Sequence, residues 1–350
     1  MHYVAIVARR AWQYNLNTLK HKNISDMTTS LKTKFAGLEL SSPIIASASP
    51  LTATPEQCLE LEKAGAAAIV VKSIFEESIA HNSQELSDTL SHGEESDYLD
   101  GYIAEQMVGE WRNTLGGIKA LCSIPIIASI ACRSMEVWER YTKVATEMGV
   151  DAIELNLMNV GRCTRHTPYG ETEYQMTRTV EVVRNITKLP IIVKLASNMT
   201  NPAALVDRLK AVGANGVVLF NRPYPVDIDI DKREYITGQA LTSIYNLATP
   251  LRWTGILSAE IPSIDYALSG GVQSWQDVVK AVLAGASAVE ICSTLYHNGL
   301  EHIEVMKRGL EKWQVEHFEE SVDGYKGRMN ALRGSYSKEL LRAHYLHFKS

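Results

Sequence analysis

The sequence predicts an α/β protein built as a (β/α)8 TIM barrel, and three observations lead there. Eight short apolar runs recur along the chain. They start alternately after a proline and after a glycine, at Pro43, Gly65, Pro125, Gly149, Pro190, Gly213, Pro262 and Gly285. The last two end in small residues, Ser269-Gly270-Gly271 and Cys292-Ser293-Thr294. Glycine suits the residue just past a helix, where left-handed backbone costs it little. Proline suits the start of a strand, where a missing N–H does least harm. Strands alternating with helices require parallel pairing and right-handed crossovers, and eight of them close a barrel. The runs show little apolar–polar alternation, as expected of strands covered on both faces.

Taken in order, residues 1–27 lie outside this pattern. They carry Arg9, Arg10, Lys20 and Lys22 against a single acid, Asp26. They are expected to be an N-terminal extension, with Met27 as the candidate start. Residues 28–334 form the barrel domain and 335–350 a C-terminal tail. LKTKFAGLEL at 31–40 reads as a small hairpin turning at Ala36-Gly37, placed to cap the closed end of the barrel. Two long segments follow strands two and six. Residues 76–110 are acidic and polar, and a loop of that length in a compact domain is expected to cover a substrate. The segment from Tyr224 to Thr249 carries Asp227, Asp229 and Asp231 but lacks the glycine and closing glutamate of a calcium loop, so it reads as a solvated excursion. Near the end of the chain, Val278, Val279, Val282 and Leu283 recur at helical spacing between the two small-residue strand ends.

Composition excludes several classes. The net charge of −5 gives no basic footprint for nucleic acid. Five scattered cysteines with no CxxC pair argue against a disulfide framework, a zinc site or an iron–sulfur cluster. No apolar run reaches the length of a membrane span, and a cytoplasmic protein is the expectation. No GxGxxG follows a strand, so a dinucleotide site is not expected.

Candidate site residues come from the strand ends, because barrels of this kind place their chemistry there. The paired ends at Gly270-Gly271 and Cys292-Ser293 suit a phosphate, since glycine lets backbone N–H groups approach an anion closely. Lys72 and Lys194 each close an apolar run, where an unpartnered ammonium would be costly. Glu154 and Asn156 alternate with apolar residues in strand four. A structural salt bridge is the bland role for Glu154, and Asn156 is the better ligand, being both donor and acceptor. Asn221 ends strand six, and Ser47-Ala48-Ser49 ends strand one beside flat, accessible backbone. The loop after strand four gathers Cys163, His166 and Tyr169, with a solvated surface position the usual fate of such a histidine. A phosphate site, two lysines and two asparagines facing one cavity suit a flavin, whose reduced ring needs positive charge at its N1/O2 side.

These pieces resemble the dihydroorotate dehydrogenase family of FMN-dependent barrels, and are similar to the flavin domain of dihydropyrimidine dehydrogenases. The matching segments are ASAS at 46–49, VKS at 71–73, ASIA at 128–131, IELNL at 153–157, VKL at 193–195, PLRW at 250–253, SGGV at 269–272, ICSTL at 291–295 and SVDGYKGRM at 321–329. The resemblance implies that Ser47 and Ala48 lie against the isoalloxazine ring and that Lys72 approaches flavin and substrate carboxylate with Ser73 beside it. It implies that Asn156 binds both, Lys194 meets the N1/O2 edge and Asn221 binds substrate. Backbone at Gly270, Gly271, Cys292 and Ser293 then holds the phosphate. It also implies a small planar heterocyclic substrate and a homodimer. Two departures stand out. The family's catalytic base, a cysteine or serine, is replaced by Asn159, which cannot accept a proton at neutral pH. Residues 91–100 replace the family's substrate loop. Cys163 is the nearest thiol to the vacant base position and joins Lys72 and Asn159 as a candidate catalytic residue. Two classes follow: an FMN oxidoreductase acting on dihydroorotate or another reduced pyrimidine, and a flavin-binding partner protein without catalysis.

Overall fold

The computed structural model describes residues 29–76, 96–158, 164–223 and 225–331, with the side chains of 96–104 left out. Asn159, Cys163, residues 91–95, the extension 1–27 and the tail 335–350 lie outside the described residues.

All eight expected strands form, and they close on themselves. They are β3 (Ile44–Ala46), β4 (Ala68–Phe75), β5 (Ile126–Ala131), β6 (Ala152–Leu157), β7 (Ile191–Ala196), β8 (Gly216–Asn221), β11 (Asp265–Ser269) and β12 (Ala288–Ile291), and every barrel pairing is parallel. Helices fill the crossovers: α1 (Pro55–Lys63), α2 (Ser96–Leu121), α3 (Met135–Glu147), α4 (Glu171–Ile186), α5 (Pro202–Ala211), α6 (Ala248–Glu260) and α7 (Trp275–Ala284). After β12 come α8 (Ser293–Asn298), α9 (His302–Glu316) and α10 (Val322–Tyr325). The glycine half of the pattern has its expected cause. Gly65, Gly149, Gly213 and Gly285 have φ of 98°, 68°, 111° and 114°, each at or just past a helix end.

The hairpin also forms. β1 (Thr33–Phe35) and β2 (Leu38–Leu40) pair antiparallel, and the turn places Ala36 at φ 51° and Gly37 at φ 86°. Phe35 and Ala36 join one cluster with the inward residues Ile45, Val70, Ile127, Ile192, Val218 and Ala267, so the hairpin plugs the N-terminal end of the barrel. At Gly216 a β-carbon would lie 3.0 Å from Ala36 Cβ and 3.1 Å from Phe35 Cε2, so only glycine leaves room for the plug. The alternate strand residues Ile44, Ile69, Ile126, Ile153, Ile191 and Val217 belong to a second cluster, shared with the surrounding helices.

Both long segments contain structure that the sequence reading leaves as loop. Residues 96–110, within the expected covering loop, begin the 26-residue helix α2. Its apolar side chains Val108, Trp111, Leu115 and Ile118 recur at helical spacing and are buried. The excursion after β8 is a second hairpin, β9 (Val226–Asp229) with β10 (Glu234–Thr237). Its register puts Val226, Ile228 and Tyr235 on one face and Asp227, Asp229 and Glu234 on the other.

Candidate active site

Inside the barrel the apolar filling stops one layer below the C-terminal rim. The next inward residues are Ser47 just after β3, Ser129 on β5, Glu154 on β6, Lys194 on β7 and Glu290 on β12, all buried. They form one hydrogen-bonded set. Lys194 Nζ donates to Ser47 Oγ at 2.9 Å and to Glu290 Oε2 at 2.5 Å, and lies 3.7 Å from Glu154 Oε1. Ser47 Oγ donates to Glu290 Oε2 at 3.0 Å. Ser129 Oγ donates to Glu154 Oε1 at 3.4 Å and shares a 2.7 Å hydrogen bond with Ser73 Oγ. Glu154 therefore lies beside the Lys194 ammonium, at the loose end of the set. Burial alone would lower the Lys194 ammonium, but the carboxylates of Glu154 and Glu290 outweigh it and hold the ammonium above its usual range. Burial, then the charge of Glu290, pushes Glu154 well above the carboxylate range. Burial would raise Glu290 too, but the adjacent Lys194 holds it below.

Above this floor a cleft opens at the C-terminal strand ends, where this fold places its ligands. Ser47, Ala48, Lys194, Asn221, Gly270, Gly271, Glu290, Cys292 and Ser293 all line it, so nine of the candidate and charged residues meet at one place. Asn156 reaches the same mouth by accepting a 2.8 Å hydrogen bond from Asn221 Nδ2 at its Oδ1. The two glycines do different work. Gly270, at φ 97°, has nothing within 4 Å of where a β-carbon would sit, so its bare backbone faces open space. Gly271, at φ 79°, packs against the chain at 246–247, and a β-carbon there would lie 2.3 Å from Leu247 N. Burial pushes the Cys292 thiol up, which leaves it neutral and its backbone as the useful part.

Lys72 is placed differently. The β4–β5 register shifts between Val71 and Ile74, a bulge that turns Ser73 inward onto Ser129. Lys72 is exposed and lines a neighbouring cleft with Ser73, Met107, Glu110 and Trp111. His166 is exposed, its Nε2 accepting from Arg165 Nε at 3.0 Å, and Tyr169 is fully exposed. Neither lines a described cleft.

Three participants were not singled out from the sequence. Glu290 hides inside the apolar run AVEI, and its partner Lys194 stands 96 residues away. Thr242 donates from its N and Oγ1 to Ser293 Oγ at 2.8 and 2.9 Å and accepts from Gly271 N at 3.4 Å. Arg222 holds the segment just before Thr242, donating to Gln239 O at 2.9 Å. A usable signal existed only for Glu290, as an acid in a strand that must be buried on both faces.

A closed parallel barrel with a buried ion-pair floor under a cleft at the C-terminal strand ends defines the class of (β/α)8-barrel enzymes. Within that class, a family model described as dihydroorotate dehydrogenase matches residues 30–313. The chain belongs to the dihydroorotate dehydrogenase family and is accordingly an oxidoreductase. Among similar proteins is the dihydroorotate dehydrogenase B (NAD(+)) catalytic subunit of Pyrococcus abyssi, 27% identical over 312 residues, covering 83% of this chain and 96% of the relative. The protein of the same description from Methanocella arvoryzae is 30% identical over 281 residues, covering 75% of this chain and 86% of the relative. That from Methanocaldococcus jannaschii is 26% identical over 286 residues, covering 77% and 89%. Among the described residues no helix is long and apolar enough to cross a membrane.

Proposed function

We propose that the cleft holds FMN and that the chain oxidises dihydroorotate, or a closely similar reduced pyrimidine, at its CH–CH bond. One observation carries this reading. Glu290 Oε1, buried in the cleft, has no hydrogen-bond partner among the described residues, and Glu290 lines the same cleft as the bare backbone of Gly270. A buried carboxylate oxygen left without a donor is costly, and a ring N–H from a bound ligand supplies one. Bound FMN supplies the hydride acceptor. The chain's own residues then divide the remaining work. Backbone N–H groups at Gly270, Gly271, Cys292 and Ser293 hold the phosphate. Ser47 and Ala48 form a small, flat wall for the ring, while Lys194 and Glu290 offer it charge and hydrogen bonds. Asn156 and Asn221 orient the substrate through their amides, and Lys72, with Ser73 beside it, supplies the cation for its carboxylate. Asn159 cannot take the substrate proton, and Cys163, four residues further on, is the acceptor assigned here. A homodimer fits the exposed apolar face Val226, Ile228 and Tyr235 of the second hairpin. A cytoplasmic location fits the free thiols of Cys58, Cys122, Cys132 and Cys292.

The second reading, a flavin-binding partner protein without turnover, is favoured by Asn159 itself. One experiment separates the two. The purified protein is expected to carry FMN, released and identified after denaturation, and anaerobic dihydroorotate is expected to bleach its absorbance. Bleaching by dithionite but by no dihydropyrimidine supports the partner protein. A colourless protein whose thermal midpoint does not move with added FMN overturns both.

A further inference from the structure

The floor of the cleft holds two acids and one base, and their charges do not balance. Glu154, Glu290 and Lys194 are 1%, 2% and 5% exposed. With both carboxyls ionised the trio would carry one uncompensated negative charge away from water, and a group so placed takes up a proton instead. The contacts are also unequal. The three N–H bonds of Lys194 are committed to Ser47 Oγ at 2.9 Å, Glu290 Oε2 at 2.5 Å and, more distantly, Glu154 Oε1 at 3.7 Å. Glu290 thus takes the close ion pair and Glu154 the loose one. Glu154 Oε2 and Glu290 Oε1 have no other hydrogen-bond partner among the described residues, and the two carboxyls interact directly, an interaction that raises Glu154 and lowers Glu290. The other groups facing the trio are the hydroxyls of Ser47 after β3 and Ser129 on β5, with Ser73 on β4 behind it, and the Cys292 thiol after β12. None of these carries charge at neutral pH.

We propose that Glu154 and Glu290 hold one proton between them across Lys194, and that it shifts from Glu154 to Glu290 when the ligand above gains negative charge. This rests on the reading that the cleft holds FMN. In the shift, the O–H bond of Glu154 breaks and its proton goes to Lys194 Nζ, while Nζ gives a proton to Glu290 Oε2. The ammonium keeps three protons, the pair keeps one, and no electron moves. Before the shift Glu290 presents an ionised oxygen to the cleft and can only accept a hydrogen bond. After it, Glu290 is a neutral acid and Lys194 pairs with Glu154. The negative charge of the floor has moved from Glu290, which lines the cleft, to Glu154, which does not. A ring that has gained a hydride is then faced by less negative charge, at unchanged net charge of the protein.

Infrared spectroscopy reads this directly, because only a protonated carboxyl absorbs above the amide I band. The FMN-free wild-type protein at neutral pH is expected to show a buried carboxylic-acid band that moves in D2O. The band should vanish in Glu154→Gln and equally in Glu290→Gln, since each leaves Lys194 a single carboxylate to pair with. Reduction of bound FMN should shift the band without abolishing it, as the proton changes owner. No acid band, or one that survives both substitutions, overturns the shared proton. A band that reduction leaves in place overturns the shift. Where the glutamine variants fail to fold, the wild-type D2O and reduced-minus-oxidised spectra still decide. A protein that takes up no FMN defeats the cofactor reading, while the FMN-free spectrum still tests the pair.

Discussion

The same eight strands close the barrel at one end with a plug and at the other with charges. At the N-terminal end, Phe35 and Ala36 fill the interior against Ile45, Val70, Ile127, Ile192 and Val218. At the C-terminal end, one step further along the same strands, Ser47, Ser129, Glu154, Lys194 and Glu290 take the equivalent inward positions. Burial is equally complete in both layers, so burial does not separate them. Satisfaction does. Polar groups around the plug are satisfied, Thr33 Oγ1 donating to Ser287 O at 3.1 Å and Ala36 N to Asp265 Oδ2 at 2.9 Å, whereas the charged layer leaves Glu154 Oε2 and Glu290 Oε1 without partners among the described residues. A fold gains nothing from such atoms, so the upper layer is kept for what binds above it. The lower layer should therefore answer to substitution in stability alone, and the upper layer in ligand chemistry as well.

The largest effect is expected at the plug. Phe35→Ala removes a fully buried ring whose space the chain cannot easily refill, because its neighbours Gly216 and Ala36 offer nothing larger than a methyl group. A loss of about 4 kcal/mol in unfolding free energy is expected, from the usual range for such truncations. Denaturant unfolding measures it, and FMN affinity of the folded protein should stay the same. A large fall in FMN affinity at unchanged stability would erase the division between the two ends.

Next comes Lys194→Met. Breaking a buried ion pair by removing one partner typically costs 3–5 kcal/mol. Here the stranded carboxyl can take up a second proton, so a loss of about 3 kcal/mol is expected at neutral pH, and less as the pH falls. Unlike the plug variant, this one should also change the ligand. The bound flavin's reduction potential should drop by tens of millivolts, about 30 mV for each 1.4 kcal/mol of lost charge stabilisation. An unchanged potential would place Lys194 out of reach of the ring and make the upper layer merely structural.

How much of this was legible in the sequence follows from how local each signal is. The strand order and the hairpin were legible because glycine at φ of 98° or 111° and a turn at Ala36-Gly37 are set by single residues. The meeting of Ser47, Lys194, Asn221, Gly270 and Ser293 was legible because parallel strand ends converge in this fold. Lys72 lines a neighbouring cleft because the bulge between Val71 and Ile74 turns Ser73 onto Ser129, and no local pattern announces a bulge. The first turns of α2 were missed because SDYLDGYIAE reads as polar loop, its apolar stripe becoming clear only from Val108 onwards. Glu290 was passed over because the pairing that explains it, with Lys194, joins strands far apart in sequence. Residue pairs made by barrel closure leave no trace in any local window.

The smallest effect is the most specific to the charged layer, because its two acids should respond to pH with opposite sign. Glu154 is held above its usual range chiefly by burial, so the folded state binds its proton more tightly than the unfolded state does. Its contribution is fully present below the unfolded carboxyl pKa and is lost as pH rises through the folded value. Glu290 is held below its range because Lys194 outweighs its burial. Its contribution is present above the unfolded value and is lost as pH falls through the folded one. One proton changes stability by at most about 1.4 kcal/mol per pH unit, so each slope is modest. Glu154→Gln should therefore flatten the decline in stability on the alkaline side of the unfolded carboxyl pKa. Glu290→Gln should flatten that same decline, because Glu154 then loses its like-charged neighbour and takes over the pair with Lys194. With one carboxyl gone the survivor pairs with Lys194, so in both variants it should behave like the Glu290 of the wild type. The measurement is the denaturation midpoint across pH in the FMN-free protein. Identical profiles for wild type and Glu154→Gln would mean that Glu154 carries no proton at neutral pH. The charged layer would then be an ordinary ion pair, no different in kind from the plug below it.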